Sequence, residues 1–296
     1  MRRCAPMATL FERVVRRSLE LRRGFRRAHI DTPNGTVHVL ESARAKGPTL
    51  VIVHGLSASG ASYAPMVPHL VGRVGRIVLP DLPGHGFSER PGSLDAETVY
   101  GGLRDALDRT IDEPAVVVGN SLGGFVATRY ALDRPERVRG LVLLSPAGTP
   151  STQAEIDEVR RIFGVRTHRD ALDFLDRLLV RPDPRLRHLF AFALRRRLED
   201  PLIHQLLHGV EVGFGLTPDE LARLVPPTLL IWGAHDRILP ERHREYYRAH
   251  LPAHARIETP DHFGHSPHID SPRRTAGRIL DFVAVLSADA RPTGAS

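Results

Sequence analysis

Cysteine is nearly absent. Cys4 is the only one in 296 residues, so no intrachain disulfide can form and no thiolate metal cage can be built. A reducing, cytoplasmic compartment is the natural setting for such a chain. Lysine is as scarce: Lys46 stands alone among 41 basic residues, and the rest are arginines, a bias that GC-rich coding produces. No apolar stretch approaches the roughly 18 residues of a membrane-spanning helix. The basic start is not followed by an apolar run of about 7 residues or more, which argues against a secretory leader.

What is present is an ordinary globular composition, 42% hydrophobic and 25% charged. A chain of this length buries roughly three quarters of its unfolded surface, so it needs neither disulfides nor metals for stability. The net charge of +7 invites a nucleic-acid reading, but a useful basic footprint is clustered, and most arginines here are scattered. No nucleic-acid partner is expected. The exception is the basic segment 1–28, with Arg2, Arg3, Arg13, Arg16, Arg17, Arg22 and Arg23. Leu10, Phe11, Val14, Val15 and Leu19 share one helical face there. Such a helix could make weak peripheral contact with an anionic membrane or pack on the domain surface; packing is the preferred reading.

Short apolar runs alternate with amphipathic ones. Strands are predicted at 37–40, 49–53, 76–79, 115–118, 141–144, 228–232 and 255–258. Helices are predicted near 61–70, 94–110, 122–132, 241–249 and 272–285. Continuously apolar strands suit a parallel sheet buried on both faces, and the alternation predicts an α/β fold: a mostly parallel central sheet of about eight strands with helices on both faces. From 149 to 224 no strand is evident, only amphipathic stretches at 153–163, 169–179, 185–198 and 202–212, broken by Pro182, Pro184 and Pro201. The expected organisation is a core of 29–148 and 225–288, a helical cap of 149–224, and a small polar tail, 289–296, that frays.

The most informative stretch is Val116-Val117-Val118-Gly119-Asn120-Ser121-Leu122-Gly123-Gly124. It reads as strand, Gly-x-Ser-x-Gly, then helix. A sharp strand-to-helix turn exposes the serine, the glycines leave room where a Cβ would clash, and the helix amino terminus favours developing negative charge. The competing reading is a glycine-rich anion-binding turn.

With this motif the chain resembles the α/β-hydrolases over roughly residues 30–286, the insertion least. Gly264-His265-Ser266-Pro267-His268-Ile269-Asp270-Ser271-Pro272 is similar to the family segment bearing the catalytic histidine, with Asp270 where glutamate is usual. Trp232-Gly233-Ala234-His235-Asp236 is similar to the segment bearing the acid. The resemblance implies Ser121 as nucleophile, His265 as base and Asp236 as its carboxylate partner, in the family's chain order. His262 and His268 are nearby alternatives for the base, and Asp261 and Asp270 less well placed ones for the acid. It also implies an oxyanion hole from the backbone N–H groups of Leu56 and Leu122. Gly55, Ser57 and Asn120 are expected pocket residues, whereas His54 and His85 are expected to be structural.

A serine at the elbow selects acyl transfer, without metal or organic cofactor. A carboxylic ester is the expected small-molecule substrate. Two alternatives are carbon–carbon hydrolysis of ring-cleavage diketones, which Asn120 suggests, and a non-catalytic ligand-binding homologue. Leu175, Leu178, Leu179, Phe190, Leu206 and Leu207 of the cap suggest an apolar substrate portion, though most of them could equally be internal cap packing.

Overall fold

A computed structural model describes residues 9–289. Cys4 and the tail from 290 onward lie outside them. The chain opens with α1 (Leu10–Arg23), β1 (Arg26–Thr32), β2 (Gly35–Glu41), β3 (Thr49–Val53) and β4 (Arg76–Pro80). It continues with α2 (Ala96–Thr110), β5 (Ala115–Asn120), α3 (Leu122–Asp133) and β6 (Val138–Leu144). Five helices follow: α4 (Gln153–Phe163), α5 (His168–Leu178), α6 (Arg187–Leu198), α7 (Pro201–His208) and α8 (Pro218–Ala222). Then come β7 (Thr228–Ile231), α9 (Glu241–His250), β8 (Arg256–Glu258), α10 (Pro267–Asp270) and α11 (Pro272–Asp289).

The strands form one sheet in the order β1-β2-β4-β3-β5-β6-β7-β8. β1 and β2 form an antiparallel hairpin and β2 pairs antiparallel with β4; the remaining neighbours are parallel. Side chains alternate across the sheet, which splits the core in two. Val51, Val53 and Val117 face α2, α3 and α9. Leu50, Ile52, Val116 and Val118 face α11, with Leu19 of α1 in the same layer. A third apolar cluster joins α4–α7, built on Phe163, Phe174, Leu175 and Leu198. Among the described residues no helix is long and apolar enough to cross a membrane.

Three local differences from the sequence expectations have clear causes. The helix expected over 61–70 is two short 3₁₀ turns, Gly60–Tyr63 and Val67–His69. Pro65 and Pro68 each lack the N–H that a continuing helix requires. β1, polar and half-exposed, was not expected; it is an edge strand closed by the Pro33–Asn34 turn. In α1 the buried residues are Glu12 and Leu19, while Leu10, Phe11 and Val14 are exposed. The helix packs on the domain through Glu12, Val15 and Leu19, so only part of its apolar set faces inward.

Candidate active site

The site is set by the turn after β5. Ser121 has φ 54°, a left-handed conformation that costs a non-glycine residue energy and persists only where its surroundings enforce it. Those surroundings include three backbone hydrogen bonds. Ser121 N–H donates to Leu144 O at 3.1 Å, and Ser121 O accepts from Gly124 at 2.8 Å and from Ala147 at 2.9 Å. The flanking glycines are a packing requirement: a Cβ on Gly119 would lie 2.2 Å from Gly123 O, and one on Gly123 would lie 2.3 Å from Val53 O. Leu122 opens α3, and the first N–H groups of an α-helix have no intrahelical acceptor.

His265 lies between β8 and α10 and is buried. Its Nδ1 is 2.7 Å from Asp236 Oδ2. The other Asp236 oxygen accepts from the N–H groups of Ile238 at 2.9 Å and Leu239 at 3.1 Å. Burial pushes the Asp236 carboxyl up, but the His265 imidazole and these two donors outweigh it and hold it below its ordinary value. An ionised Asp236 fixes the proton of His265 on Nδ1 and leaves Nε2 free to accept. Asn120 brings this loop to the elbow: its Nδ2 donates to His265 O and to Leu144 O, both at 2.9 Å. Its amide is thus committed to the scaffold, although the residue borders the cavity.

The neighbouring titratable groups are occupied otherwise. His268 packs against Tyr63 at a tilt, with ring centroids 4.3 Å apart, and burial pushes its pKa down to about 3. Asp270 accepts from Val180 N–H at 3.0 Å, tying the chain just after α5 to this loop. His54 accepts from Leu82 N–H at 2.9 Å and donates to Gly55 O at 2.8 Å. His85 faces Pro83 O at 2.9 Å and is pushed down to about 3 by burial. His54 and His85 are therefore neutral scaffold groups.

The 54–60 loop runs against Ser121; a Cβ on Gly55 would lie 3.2 Å from Ser121 Cβ. Ser57 in this loop also has positive φ, 55°. A side-chain cluster that sequence reasoning missed holds it. Arg197 of α6 donates from Nη1 to Ser57 O at 2.6 Å and pairs with Glu12 of α1. The Ser59 hydroxyl donates to the same Glu12 carboxylate. Arg197 is lowered to about 10 by burial and is still a cation at neutral pH. Nothing in the sequence distinguishes it from the other arginines.

Two cavities meet at Ser121, separated by Leu56 and Phe163, which border both. The first, about 150 Å3, lies under α4 and α7 against Phe125, Ile156, Leu206 and Leu207. The second, about 290 Å3, lies under α1, α5 and α6 against Val15, Leu178, Phe190 and Leu194, and it alone reaches His265. Gly55 and Ser57 line this second cavity, Leu122 the first. The six apolar cap residues singled out in the sequence thus all border one cavity or the other.

Comparison with known proteins agrees with this architecture. Residues 48–202 match the sequence profile of the alpha/beta hydrolase fold family. The chain is 32% identical over 254 residues to the pimeloyl-[acyl-carrier protein] methyl ester esterase of Xanthomonas campestris, covering 81% of this chain and 96% of that one. A solved membrane phospholipase A, described as a bacterial virulence factor, superimposes with a TM-score of 0.76 at 26% identity over 94% of this chain and 93% of that one. The carboxylesterase CesB of Bacillus subtilis superimposes with a TM-score of 0.76 at 20% identity, over 93% and 98%.

Proposed function

This chain belongs to the alpha/beta hydrolase fold family, and from that premise we propose that it cleaves a carboxylic ester through an acyl-enzyme on Ser121. The observation that carries the proposal is the His265–Asp236 contact of 2.7 Å, in a loop that Asn120 fastens to the elbow. His265 Nε2 takes the Ser121 proton as the hydroxyl attacks the carbonyl carbon. The oxyanion is received by the N–H groups of Leu122 and Leu56, where one such donor contributes about 3–4 kcal/mol. His265 then protonates the departing alcohol, and water, deprotonated by the same imidazole, releases the acid.

The two cavities give the ester a direction. The leaving oxygen must face His265, which borders only the second cavity, so the alcohol portion occupies that side. The acyl portion then enters the first cavity, beside Leu122. His243, at its edge, is pushed down to about 4 by burial and adds no charge at neutral pH. An apolar acyl group fits this chemistry, and the esterase activity named for the Xanthomonas relative lies in the same class.

The carbon–carbon alternative drew on Asn120, whose amide serves two backbone carbonyls instead. Purified protein assayed on aryl esters of increasing acyl length and on dienoate diketones separates the readings. Ester turnover that rises with acyl length is expected. Turnover of the diketones alone would overturn the ester assignment.

A further inference from the structure

α1 and α6, remote in sequence, meet at the wall of the second cavity. Phe11 and Phe190 touch edge to face with centroids 5.9 Å apart, Glu12 pairs with Arg197, and Phe11, Val15, Phe190 and Leu194 line the chamber that ends at Ser121. Each helix also carries an apolar set that packs on little. Leu10 and Val14 are 78% and 60% exposed; Leu189 and Phe192 are 54% and 56% exposed. Isolated exposed apolar residues need no explanation, but a concentration of them around a cavity marks an interaction site.

Along the two helices themselves the exposed charge has one sign, although Arg187 and Arg195 pair with Asp176 and Glu199 just outside α6. Every exposed ionisable side chain on the two helices is basic, including Arg13, Arg17, Arg22, Arg23 and Arg196. Their two acids are withdrawn: Glu12 is buried against Arg197, and the Glu20 side chain is only 14% exposed among Arg16, Arg17 and Arg27. Large apolar side chains rimmed by arginines suit the boundary between acyl chains and anionic headgroups. An acidic protein surface would satisfy the arginines but not the unpacked leucines, valine and phenylalanine.

We propose that the α1–α6 face docks on an anionic lipid bilayer and that the second cavity receives the alcohol portion of a membrane lipid ester from it. The surface claim stands on the two helices alone. The substrate claim rests on the ester-hydrolase reading above, in which the alcohol side is the side nearest this face.

The test uses the full chain carrying Ser121→Ala, so that binding is read without hydrolysis. It is sedimented with vesicles of phosphatidylcholine alone or mixed with phosphatidylglycerol. The mixed vesicles should bind at least about tenfold more tightly, with added salt narrowing the difference. Val14→Asp with Phe192→Asp, and separately Arg13→Glu with Arg196→Glu, should each weaken that binding about tenfold or more. All four positions lie outside the cavity walls, so the same substitutions in the active protein should leave turnover of a short water-soluble ester unchanged. Equal binding to both vesicle types, or variants that bind like their parent, would overturn the docking surface. If the variants instead abolish self-association seen by light scattering, the face is covered by a second copy of the chain. Failure of soluble-ester turnover in the active protein would remove the substrate claim and leave vesicle binding as an independent result.

Discussion

Glu12 of the amino-terminal helix and Arg197 of α6 form a largely buried ion pair beside the loop that carries Leu56. One partner precedes the sheet and the other belongs to the helices inserted after β6. Their contact joins the inserted helices, the amino-terminal helix and the 54–60 loop. Through Ser57 O, Arg197 also holds a residue with φ 55°. Arg197→Met would leave the Glu12 carboxylate buried and uncompensated, a change that typically costs about 3–5 kcal/mol. Urea denaturation should show that loss, and Glu12→Gln combined with Arg197→Met should recover part of it. A single variant as stable as its parent would show that the pair contributes nothing.

Asp236 is held ionised and accepts from His265, Ile238 and Leu239. Asp236→Asn keeps the shape but offers the imidazole the wrong tautomer. Ester turnover should drop by about four orders of magnitude in kcat, as in comparable triads, with little change in KM. A decrease of less than about tenfold would assign the carboxylate role to another residue.

The elbow tolerates no side chain at Gly123, because a Cβ there would lie 2.3 Å from Val53 O and 2.5 Å from His54 O. Both obstacles are backbone and cannot rotate away. Gly123→Ala should reduce the yield of folded protein and lower the melting temperature, whereas Gly277→Ala, where a Cβ meets nothing within 4 Å, should be neutral or slightly stabilising. Equal melting temperatures for the two variants would contradict the close approach of the elbow to β3.

Helix α4 is fastened to α9 by Glu155, which receives Arg242 Nε at 2.6 Å and Nη2 at 2.7 Å. The Arg242 hydrogen bonds are the largest cause lowering the Glu155 pKa from 4.5 to about 2. A carboxylate with a depressed folded pKa adds stability that is fully present above its unfolded value and lost as pH falls towards the folded one. The stability advantage of the parent over Glu155→Gln should therefore be constant near neutrality and shrink as pH falls from 4.5 towards about 2. The partly exposed pair is also screened, so high salt should reduce the advantage. An advantage that grows on acidification would contradict this sign.

Much of this architecture is written in short-range pattern. Val116–Val118 and Leu50–Val53 are apolar on both alternating positions because helices cover both sheet faces, and that run can be read without coordinates. The turn at Ser121 is equally local, since its glycines answer to backbone within a few ångströms. His265 and Asp236 were identified through family resemblance, and the structure brings their side chains together. What could not be read depends on distant partners. Glu12 looks like an ordinary capping residue, and its second role exists only because α6 folds back over it. β1 is too polar to announce itself and is an edge strand held by its hairpin partner. The turns at 60–69 show the reverse case: Pro65 and Pro68 were visible, but the apolar spacing around them suggested a helix that they interrupt.

The central claim is that the hydroxyl of Ser121 is the activated nucleophile, and a fluorophosphonate probe followed by peptide mass spectrometry tests it most directly. The expected result is stoichiometric modification of the peptide containing Ser121, strongly slowed in Asp236→Asn and absent in a folded Ser121→Ala variant. Modification that persists in Ser121→Ala, or a folded parent protein that never reacts, would contradict the account.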